Sequence, residues 1–223
     1  MDANTFFEKV RAGDAAAVAE MLGKDPRLVQ AKNERGVSAI LMACYTGRKE
    51  IRELLLERGA TLELHEAVAA GQLAKVQEFV EKDGAAAKAN SPDGFPVVAL
   101  AAAFGHEAVA RYLHEKGADI NAVATNGTGY TALTGAVAGS HASIAQWLAE
   151  NGANVNYRYA KGHSPLLEAA ANGNLEIAKM LVAYGADVNA RTDNGKGALD
   201  FATERGHQVV ADFLRGVAAS ASA

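Results

Sequence analysis

Apolar and polar positions fall into a helical rhythm along much of the chain. In NLEIAKMLVAYG, Leu175, Ile177, Ala178, Leu181 and Val182 recur at spacings that share one helix face, while Glu176 and Lys179 point outward. Just before it, SPLLEAAANG predicts a short apolar helix, with Ser164 as N-cap and Pro165 at the first helical position. Between such pairs lie polar, turn-rich stretches such as NARTDNGKG, which predict hairpin-like loops. A helix pair of this size cannot bury its apolar face alone, so recurrence along the chain is expected.

Glycine supplies a ruler for that recurrence. Gly13, Gly47, Gly71, Gly105, Gly173 and Gly206 each follow an Ala-rich apolar segment and precede a second helical one. The successive gaps are 34, 24, 34, 68 and 33 residues. The gap of 68 leaves room for one more unit, in which Ser140 fills the turn slot just after Gly139. A second ruler agrees: ERGATL, EKGADIN, ENGANVN and YGADVNA each place a helix-closing glycine at the same phase.

These residues carry a resemblance. The repeat is similar to the ankyrin family, whose unit of about 33 residues combines a β-turn with two helices and a T-P-L-H-x-A signature. The signature stands here as Ser38-Ala39-Ile40-Leu41, Thr131-Ala132-Leu133-Thr134 and Ser164-Pro165-Leu166-Leu167, with weaker copies at Pro96–Ala99 and Gly197–Asp200. The similarity covers roughly residues 5 to 216. It implies an all-α solenoid of about seven helix–turn–helix units with finger loops between them. The expected units span about 4–28, 36–59, 62–84, 94–117, 129–152, 162–185 and 195–216, in one domain with a flexible tail at 217–223.

The spacing is not uniform. Unit three follows Gly47 by only 24 residues, so the finger before it is missing. Asn121 to Thr131 spans 10 residues where Asn156 to Ser164 spans 8, which lengthens the finger before unit five. The terminal units carry polar substitutions, as caps facing water should.

Composition changes this picture little and excludes much. The 223 residues include 49% hydrophobic and 22% charged, with a net charge of −4 spread along the chain. No Lys/Arg block offers a phosphate-neutralising surface, so nucleic acid is not an expected partner. No apolar run approaches the roughly 18 to 20 residues of a membrane span. The N-terminal sequence has no signal-peptide pattern and there is one cysteine, Cys44, so the expectation is a monomeric cytoplasmic protein.

Catalytic and metal motifs dissolve on inspection. Cys44 sits where Ala170 sits in unit six, a small buried position. His106, His141 and His207 share one slot in stacked units about 10 Å apart, whereas Zn–N bonds are about 2.0–2.1 Å. His65 is assigned to the signature's histidine slot, and His65-Glu66 lacks the second histidine of H-E-x-x-H, since Ala69 stands there. Gly127-Thr128-Gly129-Tyr130-Thr131-Ala132 matches a dinucleotide pattern but has no strand before it, so its glycines are read as turn residues. No cofactor is expected.

In the family, partners contact finger tips and the exposed ends of first helices. By position, the resemblance assigns a partner-binding face to Arg35, Tyr45, Phe95, Phe104, Thr128, Tyr130, Tyr159, Lys161, His163, Asn172 and Lys196. The aromatic members are the expected anchors, since aromatics are common interface hot spots. The implied function is a non-catalytic module that binds a protein in the concave groove and fingers of units four to six. The alternatives are an enzyme or small-ligand binder using His163, Asp193 or His65 in a pocket between fingers, and a self-associating scaffold.

Overall fold

A computed structural model describes residues 3–34 and 36–221. Among them the chain forms fourteen α-helices and no strands. They run in consecutive pairs: α1 Ala3–Ala12 with α2 Ala15–Lys24, α3 Ala39–Tyr45 with α4 Lys49–Glu57, α5 Leu64–Ala69 with α6 Leu73–Lys82, and α7 Val97–Ala103 with α8 Glu107–Glu115. There follow α9 Ala132–Ala138 with α10 Ala142–Glu150, α11 Pro165–Ala171 with α12 Leu175–Ala183, and α13 Ala198–Glu204 with α14 Gln208–Ala221. The described residues fall into two compact units that divide between Gln77 and Glu78.

In each unit the core lies between the helices. Phe6, Leu22, Ile40, Ile51 and Leu55 are fully buried in the first; Leu113, Leu133, Ile144, Leu148, Leu166, Leu167 and Ile177 are in the second. The short first helices are apolar nearly all round because they are covered by neighbours on both sides, as Val97–Ala102 and Ala132–Val137 illustrate.

The turn slot inside each pair is left-handed. Ser140 has φ 58° and does the work that glycine does at Gly105 and Gly173. The next residue ties pairs together: His141 Nε2 donates to the Ala103 carbonyl and His207 Nε2 to that of Ala171, each at 3.1 Å. A further tie was not read from the sequence. Asn121 Nδ2 donates to the Gly152 carbonyl at 3.0 Å while its Oδ1 accepts from Asn154 N at 2.9 Å, and Asn156 repeats this with Gly185 and Asp187.

Four fingers close with an isolated backbone bridge: Lys32 with Ser38, Asn90 with Pro96, Tyr159 with His163, and Arg191 with Gly197. Between α4 and α5 there is no finger. The longer loop before α9 is held instead by Ala124 N donating to Tyr130 O at 2.8 Å, with Gly127 and Gly129 at φ 82° and 73°. These are the turn conformations expected of that G-x-G.

Two expectations are corrected. The register of α5 places Glu63 at the N-cap, so Glu66, not His65, holds the signature's fourth position. Glu66 is 3% exposed and its Oε2 accepts from Glu63 N at 2.8 Å, while His65 lies in the helix rather than a loop. Second, α14 continues through Ala221, so residues 217–221, assigned to a tail, are helical; the last two lie outside the described residues. Tyr45 is the last residue of α3, one position before the cap slot that Phe104 and Asn172 occupy.

Candidate functional site

The finger-to-helix junctions of residues 78–221 bring aromatic side chains together. Phe95, Tyr130 and His163 each stand immediately before the N-cap of a first helix, at Pro96, Thr131 and Ser164. Phe95 and Tyr130 face one another from equivalent positions, and Tyr159, between Tyr130 and His163, and Phe201 extend them into a row. Ring centroids are 6.3 Å apart for Phe95 and Tyr130, and 5.5 Å for Tyr130 and Tyr159. The row continues at 6.1 Å from Tyr159 to His163 and 5.4 Å from His163 to Phe201. Such separations are those of interacting aromatic pairs, worth about 0.5–1.5 kcal/mol beyond burial.

Tyr159 enters the row from the strand-like arm of its finger, where Tyr159 N donates to His163 O at 2.9 Å. Glycine at 129 permits this: a Cβ there would lie 3.0 Å from Tyr159 Cβ. Tyr159 is only 9% exposed, which corrects its assignment to the open binding face. It is the wall behind Tyr130, which stays half-buried with Phe95 and His163. Burial first, and then the nearby Glu168 carboxylate, push both phenols above the usual tyrosine range.

The fingers that carry these rings are bonded in two neighbouring pairs. Thr125 N donates to Gly94 O and Asn126 Nδ2 to Asp93 O, each at 2.8 Å. Asp193 N donates to Lys161 O at 3.0 Å, and Arg158 Nη2 to Arg191 O at 2.6 Å. Side chains on cross-linked loops lose less freedom on binding, which favours affinity.

The other expected residues are placed as follows. Thr128 donates from N and Oγ1 to Asn126 Oδ1 at 3.1 and 2.6 Å, closing the tip of its loop. Lys161 is exposed at φ 59°, and Asn172 Nδ2 reaches Glu168 Oε1 at 3.4 Å. Lys196 is paired with Glu204 at 2.7 Å. Phe104 is half-buried at the cap of α7. Tyr45, 42% exposed, belongs to residues 3–77, where it borders an open hollow of about 750 Å³ with Phe7, Glu8, Arg11 and Met42. Arg35 lies outside the described residues.

Phe201 and Glu168 were missed from sequence. Both sit at the fifth signature position, on α13 and α11, and a repeat alignment taken at that position would have flagged them beside Leu100 and Gly135.

His163 and Asp193, weighed for chemistry, lie on neighbouring fingers. His163 points into the ring row with Nδ1 enclosed and unbonded. Asp193 is exposed on a finger, and His65 belongs to α5 of the other compact unit. Among the described residues no group of three or more His, Cys, Asp or Glu could hold a metal ion, and no helix is long and apolar enough to cross a membrane.

Paired short helices, left-handed turns and mutually bonded fingers define a helical repeat protein whose finger side is lined with rings. The chain matches the family model for ankyrin repeats (three copies) over residues 64–159 and again over 156–221. It belongs to the ankyrin repeat family. It is also 34% identical over 118 residues to the transient receptor potential cation channel subfamily A member 1 homolog of Caenorhabditis elegans. That match takes in 49% of this chain and 10% of the channel's length, so the chain spans about a tenth of that relative. Ankyrin repeats are in general protein–protein interaction modules and typically not enzymes.

Proposed function

We propose that the protein is a non-catalytic interaction module that binds a protein partner in the groove and fingers of units four to six. The observation that carries this reading is the row of rings at Phe95, Tyr130, Tyr159, His163 and Phe201, set on fingers already bonded together. Half-buried Tyr130 and Phe95 present apolar area to an incoming chain, while Lys161, Asn172 and Lys196 form a polar rim. Binding would proceed by pre-organisation, with the ordering of rings and loops completed in folding. Thr128, Phe104 and His163 flank the same surface, and the protein acts as a cytoplasmic monomer in this reading.

The test is partner capture from source lysate by the chain carrying Tyr130→Ala with Phe104→Ala. Hot-spot aromatics contribute about 2 kcal/mol or more each, so capture should fall at least tenfold. Thermal stability should fall by about 1–3 kcal/mol, for the two ring pairs of Tyr130, with the helical circular dichroism of the variant unchanged at the assay temperature. Unchanged capture rejects this surface.

A further inference from the structure

In residues 78–221 the fifth signature position is filled by Leu100, Gly135, Glu168 and Phe201 in turn, and the last two side chains reach finger residues, Tyr159 and His163. Only Glu168 carries a charge there. It is half-buried, and its two side-chain donors are both distant: Tyr159 Oη–H to Oε2 at 3.4 Å and Asn172 Nδ2–H to Oε1 at 3.4 Å. Hydrogen bonds of that length are weak.

Four cations of the last two repeats have partners elsewhere. Arg191 pairs with Asp200 and Lys196 with Glu204. Arg158 donates to the Arg191 carbonyl and Arg205 to the Ala171 carbonyl. Glu168 has no cation of this chain within ion-pair distance among the described residues. A carboxylate partly withdrawn from water and left without a countercharge is unfavourable. Its charge reaches both neighbouring phenols, which it helps to hold above their ordinary range.

A half-buried carboxylate beside phenol groups, with no countercharge of its own, is a receptor for a cation arriving from solvent. A guanidinium fits better than an ammonium, because its planar fork can meet both carboxylate oxygens. Each oxygen of Glu168 has one weak donor, which leaves the capacity for such a fork. Resting on the reading of this face as the partner-binding surface, we propose that Glu168, beside Tyr130 and Tyr159, is the socket for an arginine side chain of the partner.

Selection of random twelve-residue peptides displayed on phage, against the immobilised full chain, tests this. Arginine should be enriched at one position of the selected peptides. The best arginine peptide, synthesised and titrated by fluorescence anisotropy, should bind Glu168→Gln about 10- to 100-fold more weakly, the range for a hydrogen bond to a charged group. Circular dichroism of Glu168→Gln should match the parent, since glutamine keeps the size of the side chain. Replacing the peptide's arginine by lysine should weaken binding by a similar factor; if lysine serves equally, the arginine assignment is wrong. Peptides without arginine preference that still lose binding to Tyr130→Ala would overturn the socket and leave the surface standing. Peptides that bind Tyr130→Ala as well as the parent would overturn the surface itself, and a selection that returns no binder overturns the socket.

Discussion

Residues 3–77 and residues 78–221 are built from the same helix pairs, yet only the second region builds a ring-lined surface. In the first region one finger bridge forms, Lys32 with Ser38, and the slot before the N-cap holds Val37. The junction before α5 has no finger and is closed by Glu66 beneath the Glu63 amide. In the second region, three bridged fingers and the longer loop before α9 follow one another, and neighbours exchange hydrogen bonds such as Asp193 N to Lys161 O. The lesson is that stacking fixes the helices, whereas a recognition surface needs consecutive fingers. Rings at equivalent positions meet only when no finger between them is lost.

Cys44 gives the largest effect by which that contrast can be broken. It is the single cysteine, and it fills the buried slot held in the second region by Ala102, Val137 and Ala170. Burial pushes its thiol from 9.0 to about 12. The thiolate is the form that attacks disulfide reagents, so at pH 8 the folded chain should react more slowly than the urea-unfolded chain by roughly two to three orders of magnitude. The folded form holds the proton more tightly, so this group's contribution to stability is present below pH 9 and is lost as pH rises toward 12. A labelling rate with dithiobis-nitrobenzoate near that of the unfolded chain would mean that residues 3–77 open readily despite their packed core.

The fold was legible in the sequence because its signals are local. Turn glycines, N-caps and helix-closing phrases lie within a few residues of what they specify, and even the departures, Ser140 in a glycine slot and the absent finger, show as spacing. The site was legible only in part. Phe95, Tyr130 and His163 share a slot before the N-cap, so position alone brought them to one face. Tyr159 was misjudged because its burial depends on Gly129, about thirty residues earlier, leaving room for it. Phe201 and Glu168 were missed since their helices read as plain apolar segments, and nothing local marks a core-like position as facing a finger. His65 was misplaced by one residue because the missing finger removed the landmark that sets register.

Glu66 sharpens the contrast at the next level. Where a finger normally leads into the first helix, the entry to α5 depends on its carboxyl accepting from Glu63 N. Glu66→Ala strands a part-buried amide and should cost about 2 kcal/mol, read as a lower urea midpoint. In the second region Thr134 accepts from Thr131 N at 2.7 Å, and this bond is buried more deeply. Thr134→Val should therefore cost at least as much, about 2 kcal/mol or more. A smaller loss than at Glu66 would show that the Ala124–Tyr130 bond of the longer loop holds the entry to α9 without the capping contact.

Ser140 supplies the smallest effect and locates strain. Residues 3–77 keep glycine at every turn slot, with Gly13, Gly47 and Gly71 all at positive φ. The second region places one non-glycine residue there, Ser140 at φ 58° in the turn between α9 and α10, and has a second left-handed residue, Lys161 at φ 59°, on a finger. A left-handed L-residue costs about 1–2 kcal/mol, partly offset by the greater freedom glycine has when unfolded. Ser140→Gly should therefore stabilise by about 0.5–1 kcal/mol, since the Ser140 side chain is exposed and no neighbour would be lost. Thermal melting of Ser140→Gly beside Lys161→Gly separates two origins of the strain. A gain at both positions makes it incidental to the sequence. A gain at Ser140 with none at Lys161 means that the bond from Asp193 N to Lys161 O already holds the finger in that shape, and that the ring-bearing loops are kept in place by one another.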